Sequence, residues 1–247
     1  MQILDGVIIV TALPQMARDF GVATLDLGIG ITAYMLMAAV VIPSASWMSD
    51  RFGARRVFLI AMLVFTVSSL ACGMATDLTQ FVVARIVQGA GGALMFPIGR
   101  VIVLRSVQKS EILQAIGLTV WPALFAPVVG PAIGGFLTTY VSWHWNFWIN
   151  VPLGIAGMAL VFSIIPKDTE FKAHPFDWAG FVLTGISLAA LLYGFDGLAQ
   201  GTIPLPLAVG LASLGFVVSI GAVLWLRRTP HPLLDLKTLS IPTFRAS

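Results

Sequence analysis

Two ionisable residues lie inside apolar segments and could handle charge within a membrane. Arg85 interrupts the otherwise uncharged residues 81–99. An arginine at such a depth costs at least ~2.5 kcal/mol, so it either extends to water or pairs with an anion. Asp5 lies in the apolar residues 1–13, and a carboxylate whose proton affinity responds to a nearby cation can exchange that proton. Gln88 follows Arg85 by three residues on the same helical face and could extend a polar network.

The composition places these residues among membrane-spanning helices. The chain has 247 residues, of which 58% are hydrophobic and only 10% are charged, whereas soluble domains carry about 25% charged residues. Its apolar runs extend for about 20 residues, the length of a membrane helix and twice that of a barrel strand. The basic residues are scattered among loops, which argues against nucleic acid as a partner. We therefore predict an all-α, polytopic membrane helix bundle.

Gaps between charges and turn residues predict the membrane spans. Residues 1–13 rise about 20 Å, too little for a hydrocarbon core of about 30 Å, so they are interpreted as the second half of a truncated first span. Seven complete spans follow, at residues 27–48, 57–76, 81–99, 112–138, 147–165, 178–195 and 203–226. Residues 240–247 stop where a further span could begin, which indicates a fragment of a longer protein.

The distribution of lysine and arginine predicts the orientation. Arg18 alone is expected in a loop on one side and Arg85 within a span, while the others fall on the opposite side. Those others are Arg51, Arg55, Arg56, Arg100, Arg105, Lys109, Lys167, Lys172, Arg227, Arg228, Lys237 and Arg245. The loops after spans 2, 4, 6 and 8 are therefore predicted to be cytoplasmic in a multi-pass membrane protein. The aromatic residues 143–148 are expected to mark the outer interface.

A short turn between spans 2 and 3 carries a second group of charges. Asp50 can reach the positive N-terminal end of span 3, and Gly53 gives the turn its backbone freedom. A positive-inside hairpin alone would explain the arginines but not their order. That order resembles the loop signature of the major facilitator superfamily, G-x-L-x-D-R-x-G-R-R, with matches at Asp50, Arg51, Gly53, Arg55 and Arg56 and departures at Ser46, Met48 and Ala54. The resemblance implies that the loop is a charge–helix latch controlling the switch between inward and outward states.

Three further segments resemble the fourteen-helix drug/proton antiporter branch of that superfamily. Residues 4–14 are similar to its first-span signature and residues 84–92 to its fourth-span signature. Residues 126–135 resemble its fifth-span antiporter signature, with matches at Gly130, Pro131, Gly134 and Gly135 and a departure at Ala126. Residues 149–152 resemble a segment at the start of span 6 in the same branch. The Gly130/Gly134 spacing alone is a common packing motif, whereas the resemblance implies a helix kinked at Pro131 that packs against a C-terminal half and favours export.

The resemblance also implies that the two ionisable residues meet. It places spans 1 and 4 together at a central cavity, with Asp5 ~13 Å and Arg85 ~8 Å below the outer ends of their spans. We therefore expect Asp5 to take part in proton coupling, Arg85 to tune it, and Gln88 to lie beside them. Soft or apolar residues on cavity-facing spans could contact lipophilic cations, although core packing or lipid contact explains each equally well. These residues are Met35, Met95, Phe96, Trp121 and Phe125.

The expected architecture is the major facilitator fold. It comprises a six-helix domain at residues 1–165, two linker helices at 166–228, and a cytoplasmic linker with the start of a missing C-terminal half at 229–247. The expected function is a proton-coupled multidrug exporter working by alternating access, with small molecules, protons and the lipid bilayer as partners and any accessory export proteins unknown. Two alternatives stay open, an exporter of one specific metabolite or lipid and a non-transporting membrane protein. The sequence has no metal-spaced His/Cys cluster, H-E-x-x-H, G-x-S-x-G or phosphate-cradling loop, so we expect neither an enzyme nor a resident metal or cofactor.

Overall fold

The computed structural model describes residues 1–168, 171 and 174–234, and the described part is a bundle of α-helices. The helices are α1 (Gln2–Phe20), α2 (Gly28–Val41), α3 (Ala45–Phe52), α4 (Ala54–Met74), α5 (Leu78–Ser106), α6 (Ile112–Tyr140), α7 (Trp145–Trp148), α8 (Asn150–Ile164), α9 (Trp178–Gln200) and α10 (Leu205–Arg228). A short 3₁₀ turn, Ile42–Ser44, joins α2 to α3. The basic residues Lys172, Lys237 and Arg245 lie outside the described residues, as do residues 235–247 of the predicted segment 229–247.

Seven segments of the described chain are long and apolar enough to cross a membrane. They correspond to the predicted spans 2–8, so the prediction of a polytopic helical bundle is confirmed. The second span is the continuous segment Gly28–Phe52, which contains α2 and α3, and the sixth is Trp145–Ile164, which contains α7 and α8. Helices are favoured in such segments because lipid offers no partner to backbone polar groups, which must be satisfied within the segment itself.

The first helix is longer than predicted. It does not stop at residue 13 but continues through Pro14 to Phe20, so Arg18 lies in its last turn rather than in a loop. Arg18 Nε donates to the Pro14 carbonyl at 3.3 Å, which holds the side chain along the helix. The helix ends where Gly21 adopts φ 67°, a left-handed conformation that glycine reaches without a Cβ penalty. The prediction failed because proline removes one N–H donor but does not always end a helix.

The centre of the bundle is built around α5, which packs between α2 and α4. Two glycines permit this close approach. A Cβ at Gly89 would lie 2.5 Å from the Tyr34 carbonyl oxygen of α2, and a Cβ at Gly91 would lie 2.8 Å from the Phe65 nitrogen of α4. Small residues let membrane helices approach to backbone contact, where dispersion forces are strongest. The same packing buries Arg85 on α5.

The two ends of the bundle differ in chemistry. One end, called here the aromatic end, buries Trp143 and Phe147, and Trp143 Nε1 donates to Asp19 Oδ2 at 2.6 Å. Trp143 and Phe147 therefore serve the core, whereas Trp145 alone of these three is exposed, as the predicted interface position requires. Burial lowers the pKa of the adjacent His144, and the negative charge of Asp19 opposes that shift. The opposite end, called the basic end, carries Arg51, Arg55, Arg56 and Arg105.

Helices α9 and α10 form a hairpin that packs beside α2. A Cβ at Gly194 of α9 would lie 2.7 Å from the Ala212 nitrogen, so the two helices touch at backbone level. Asp177 caps α9 by accepting the Gly180 N–H at 2.8 Å, and it also accepts from Trp225 Nε1 of α10 at 3.0 Å. The hairpin contacts the rest of the bundle through α2. It therefore lies beside the helices that hold the ionisable residues rather than among them.

Candidate functional site

Asp5 of α1 and Arg85 of α5 form a buried ion pair. Arg85 Nη1 lies 2.7 Å from Asp5 Oδ2, and both side chains are 1% exposed. Arg85 therefore does not extend to water. A buried pair of this kind is strongly destabilising when one partner is removed, because the other charge is then left uncompensated. The structure thus brings together the two residues that the sequence singled out, while the role of Asp5 in proton coupling stays a prediction.

Two amides complete the surroundings of the Asp5 carboxylate. Gln88 Nε2 donates to Asp5 Oδ1 at 3.0 Å, and Gln88 Oε1 accepts from Arg85 Nη1 at 2.6 Å. Asn150, at the start of α8, donates from Nδ2 to Asp5 Oδ1 at 2.9 Å. The carboxylate therefore accepts three hydrogen bonds in a region without solvent exposure. Such bonds to a charged group are among the strongest in proteins.

A second layer of side chains connects this carboxylate to other helices. Asn150 Nδ2 also donates to Ser69 Oγ of α4 at 3.0 Å. The Arg85 guanidinium lies 4.3 Å from the centroid of the Tyr34 ring of α2, a cation–π contact. We call Asp5, Arg85, Gln88, Asn150 and Ser69 the Asp5 network. It links α1, α4, α5 and α8 through side chains alone.

Sequence reasoning assigned no role to three residues that the structure places at this site. They are Asn150, Ser69 and Tyr34. For Asn150 a signal was available, since an amide inside an apolar span is expensive unless it is paired and therefore invites the question of its partner. Ser69 and Tyr34 gave no comparable signal, because serine and tyrosine are tolerated in membrane helices without a specific partner.

The Asp5 network can change its charge without changing its composition. Arg85 stays protonated because the guanidinium does not titrate in proteins. The pair is neutral when Asp5 is ionised and carries one positive charge when Asp5 is protonated. In an interior of low dielectric this difference strongly alters electrostatic energies. Among the residues that the structure describes, no group of three His, Cys, Asp or Glu side chains could hold a metal ion.

At the basic end an aspartate outside the predicted switch loop caps α4. Asp168, which follows α8, accepts the Arg55 backbone N–H at 3.0 Å. Asp50, which was expected to reach this helix end, has its described hydrogen bond with another helix: its Oδ1 accepts from Arg105 Nη2 of α5 at 3.3 Å. The reason is the turn at Gly53, whose φ of 90° and ψ of 136° direct the open end of α4 towards Asp168. Only glycine adopts such a conformation readily.

The three arginines of the loop have different surroundings. Arg55 is buried, its Nη2 donates to the Phe162 carbonyl at 2.7 Å, and its guanidinium lies over the Phe162 ring. Arg51 and Arg56 are exposed. A cavity of about 360 Å³ opens beside Arg55 and Arg105, between the ends of α4, α5 and α8. Arg55 is therefore the buried arginine of the loop, while the exposed Arg56 places its guanidinium 5.8 Å from the centroid of the Phe171 ring.

Replacing Asp168 by alanine is expected to cost about 1 kcal/mol of stability, because α4 loses the acceptor at its N-terminal end. The matched change Asp50→Ala is expected to cost no more than about 0.5 kcal/mol, because its partner Arg105 is 53% exposed. Thermal unfolding of the purified full-length protein, meaning the whole product of the reading frame that contains this chain, measures both. A larger loss at Asp50 than at Asp168 would contradict this assignment of the cap.

The predicted antiporter run lies on α6, where it packs along α1. A Cβ at Gly134 would lie 2.5 Å from Thr11 Oγ1, and a Cβ at Gly130 would approach α1 to 3.0 Å. A Cβ at Gly135 would meet nothing within 4 Å. The helix continues through Pro131 as one element. Two of the three glycines therefore seat α6 directly against the helix that carries Asp5.

Comparison with known proteins identifies the family of this bundle. Residues 1–228 match the family model described as Major Facilitator Superfamily. The chain belongs to the major facilitator superfamily. The expected family is therefore confirmed.

Relatives within the major facilitator superfamily include curated and solved proteins. The chain is 38% identical over 245 residues to the "Putative multidrug resistance protein MdtD" of Escherichia fergusonii and to that of Salmonella paratyphi B. Each alignment covers 99% of this chain and 52% of the relative, so the chain spans about half the length of these relatives. Its fold is similar to an inward-facing bacterial homologue of the human lysosomal transporter Spinster (TM-score 0.52, 16% identity, 90% of this chain and 57% of that one). It is also similar to the POT family transporter PepTSo (TM-score 0.53, 15% identity, 94% of this chain and 53% of that one).

The predicted cavity residues of this superfamily member do not form one cluster. Met35, Phe96, Trp121 and Phe125 are exposed, and the rings of Trp121 and Phe125 stack at 5.9 Å. Met95 instead packs against a buried cluster at the basic end, which is the core-packing alternative. The contact of the four exposed residues with a substrate stays a prediction.

Proposed function

We propose that the full-length protein is a proton-coupled exporter of lipophilic or cationic small molecules, working by alternating access across a bacterial cell membrane. The observation that supports this most is the buried Asp5–Arg85 pair, since ionisable residues inside membrane bundles commonly mark proton or substrate pathways. The multidrug resistance proteins with 38% identity support the substrate class. Because the chain spans about half of those relatives, the activity belongs to the complete protein.

In this proposal Asp5 carries the proton. While ionised, it is held by Arg85, Gln88 and Asn150. Taking up a proton removes its negative charge, weakens the bond to Arg85 and leaves the guanidinium in excess. Arg85 thus tunes how readily Asp5 takes and gives up the proton, and Gln88 keeps the guanidinium in place through its own bond at 2.6 Å.

In this proposal two other segments link protonation of Asp5 to movement of the helices. Gly130 and Gly134 seat α6 against α1 on the side next to Asp5, so a movement of one helix displaces the other. The predicted switch loop, with Asp50, Arg51, Gly53, Arg55 and Arg56, lies at the basic end, which we assign to the cytoplasm because basic residues favour that side. The bonds of Asp50 to Arg105 and of Arg55 to Asp168 would hold this end in one state and break in the other.

The proposed arrangement of domains is the one that the sequence resemblance implies. Residues 1–165 would form the N-terminal six-helix domain, residues 166–228 the two linker helices, and the C-terminal half would complete the cavity. The exposed apolar side chains Met35, Phe96, Trp121 and Phe125 would then face substrate or the other half. Aromatic faces and thioethers suit lipophilic cations, because they provide polarisable contacts and attract positive charge.

Inverted membrane vesicles that contain the full-length protein test the function. With an imposed pH gradient, we expect the vesicles to accumulate several chemically unrelated lipophilic cations, and we expect no accumulation without the gradient. Accumulation of a single solute class would support the narrower alternative of a specific metabolite or lipid exporter. Vesicles that take up nothing under either condition, while the protein is folded and inserted, would contradict the proposal.

A further inference from the structure

Asn150 has an incomplete set of hydrogen bonds in the Asp5 network. Its Nδ2 donates to Asp5 Oδ1 at 2.9 Å and to Ser69 Oγ at 3.0 Å, and its side chain is buried. Its Oδ1 has no hydrogen-bond partner in the described part of the chain. An amide oxygen buried without a partner is costly and uncommon, and it requires an explanation.

The unpaired acceptor becomes useful when Asp5 takes up a proton. An ionised carboxylate only accepts hydrogen bonds, whereas a protonated one must also donate. The described partners of Asp5 all present donors: Arg85 Nη1, Gln88 Nε2 and Asn150 Nδ2. A proton on Asp5 Oδ1 would therefore face two amide N–H groups unless one of these amides turns.

Gln88 is held in its present orientation. Its Oε1 accepts from Arg85 Nη1 at 2.6 Å, and Cys72 Sγ lies 3.6 Å from the same oxygen. Turning the Gln88 amide would point its amino group at the guanidinium, so that two donors would face each other. Gln88 therefore stays a donor to Asp5 in both charge states.

Asn150 is not restricted in this way. Its other neighbour, the Ser69 hydroxyl, can donate or accept. In the present state Ser69 Oγ donates to the Phe147 carbonyl at 2.9 Å and accepts from Asn150. After a half-turn of the Asn150 amide, Oδ1 would accept from protonated Asp5, Ser69 could donate to that oxygen instead of to Phe147, and Nδ2 would take the position that Oδ1 holds now.

We propose that Asn150 is a positioning residue that adapts to both charge states of Asp5 by turning its amide when the carboxyl takes up or releases a proton. The inference rests on the proposed function, in which Asp5 exchanges that proton. One proton adds to Asp5 Oδ1, and Asn150 gains and loses none; its amide exchanges a donor for an acceptor. Asn150 lies on α8 and Ser69 on α4. Rotation of the Asn150 amide therefore changes hydrogen bonds on these two helices when Asp5 of α1 changes its charge.

No other ionisable group around Asp5 in the described structure is placed to adapt to both charge states of its carboxyl, as Asn150 is. Arg85 on α5 is a permanent cation and only donates. Tyr34 on α2 faces the guanidinium, and Cys72 on α4 faces Gln88. The amino group of Met1 lies at the start of α1, and the described parts of α6, α7 and α8 carry no ionisable side chain except Tyr140 at the far end of α6.

Infrared difference spectroscopy over a pH titration tests this inference in the purified full-length protein carrying isotope-labelled asparagine. The carboxyl band of Asp5 is assigned by its loss in Asp5→Asn. We expect a labelled asparagine band that changes with the same pH midpoint. Asn150→Leu is expected to remove that asparagine band, because the side chain that follows the charge state of Asp5 is then absent.

Asn146→Leu is the matched control. Asn146 is also buried, its Nδ2 donates to Thr138 Oγ1 at 2.8 Å, and its Oδ1 also lacks a described partner, but it does not contact Asp5. We expect this variant to keep the asparagine band that follows Asp5. If the Asp5 band titrates and no asparagine band follows it, or if the band survives in Asn150→Leu, the inference fails alone. If no carboxyl band depends on Asp5, the proposed function fails. Even when a variant does not fold, the wild-type spectrum shows whether an asparagine band changes together with the carboxyl band.

Discussion

Replacing Arg85 by glutamine is expected to destabilise the full-length protein by about 3 kcal/mol or more at neutral pH, because Asp5 is left as an unpaired buried charge. The pair has no exposure through which water could compensate, since both side chains are 1% exposed. Thermal unfolding of the purified protein at neutral pH measures this loss.

The double variant Asp5→Asn with Arg85→Gln separates charge from shape. It keeps polar side chains of similar size at both positions and removes both charges, so most of the lost stability should return. Arg85→Lys serves as the second control: it keeps the positive charge but replaces the guanidinium, whose Nη1 donates to both Asp5 and Gln88. A double variant that is no more stable than Arg85→Gln would show that the cation does not act through Asp5.

Replacing Gly134 by leucine is expected to force α6 away from α1. Even a Cβ at this position would lie 2.5 Å from Thr11 Oγ1 and 3.0 Å from the Ile8 carbonyl oxygen. The backbone carbonyl cannot move aside as a flexible side chain would, so the helices must separate, at a cost of about 1–3 kcal/mol or more. Because Ile8 lies one helical turn after Asp5, we also expect pH-driven transport to fall in parallel with stability.

Alanine substitutions along α6 provide a graded comparison. Gly134→Ala already places a Cβ in the contact, whereas Gly135→Ala places one in open space, with nothing within 4 Å. Gly135→Ala should therefore be neutral or slightly stabilising, since alanine favours helix more than glycine does. Circular dichroism melts and transport by the same preparations check both. Equal losses at the two positions would contradict the contact between α1 and α6, because the neighbouring glycines differ only in what they face.

The main site could be predicted in part because charge is rare in apolar segments. Arg85 and Asp5 stand out by their type, and the resemblance supplied the proximity of their helices. Spacing along one helix was enough to add Gln88. Asn150 is 145 residues from Asp5, and no periodicity within one helix connects residues at that separation. Only the packing of α8 beside α4, which brings Asn150 to Asp5 of α1, reveals that the amide completes the carboxylate's partners.

The basic end was predicted less accurately for a similar reason. Proximity in sequence suggested that Asp50 could reach the N-terminal end of the helix that begins a few residues later. The observed cap is Asp168, which is 113 residues from Arg55. A local rule assigns the nearest carboxylate, whereas the turn at Gly53 determines which direction the helix end faces. The end of α1 was missed because a proline marks a helix boundary only as a tendency.

The central claim, that Asp5 carries the coupled proton, is tested most directly in proteoliposomes containing the full-length protein. Asp5→Asn replaces the carboxyl group by an amide of similar size. The amide accepts and donates hydrogen bonds but does not take up or release a proton in the pH range of the assay. Asp77→Asn is the matched control, because Asp77 caps α5 through the Gln80 N–H and asparagine caps equally well. The account predicts that Asp5→Asn still exchanges substrate down its gradient but neither accumulates it in response to a pH gradient nor moves protons with it, while Asp77→Asn behaves as the wild type. Wild-type accumulation driven by a pH gradient in Asp5→Asn would contradict the account.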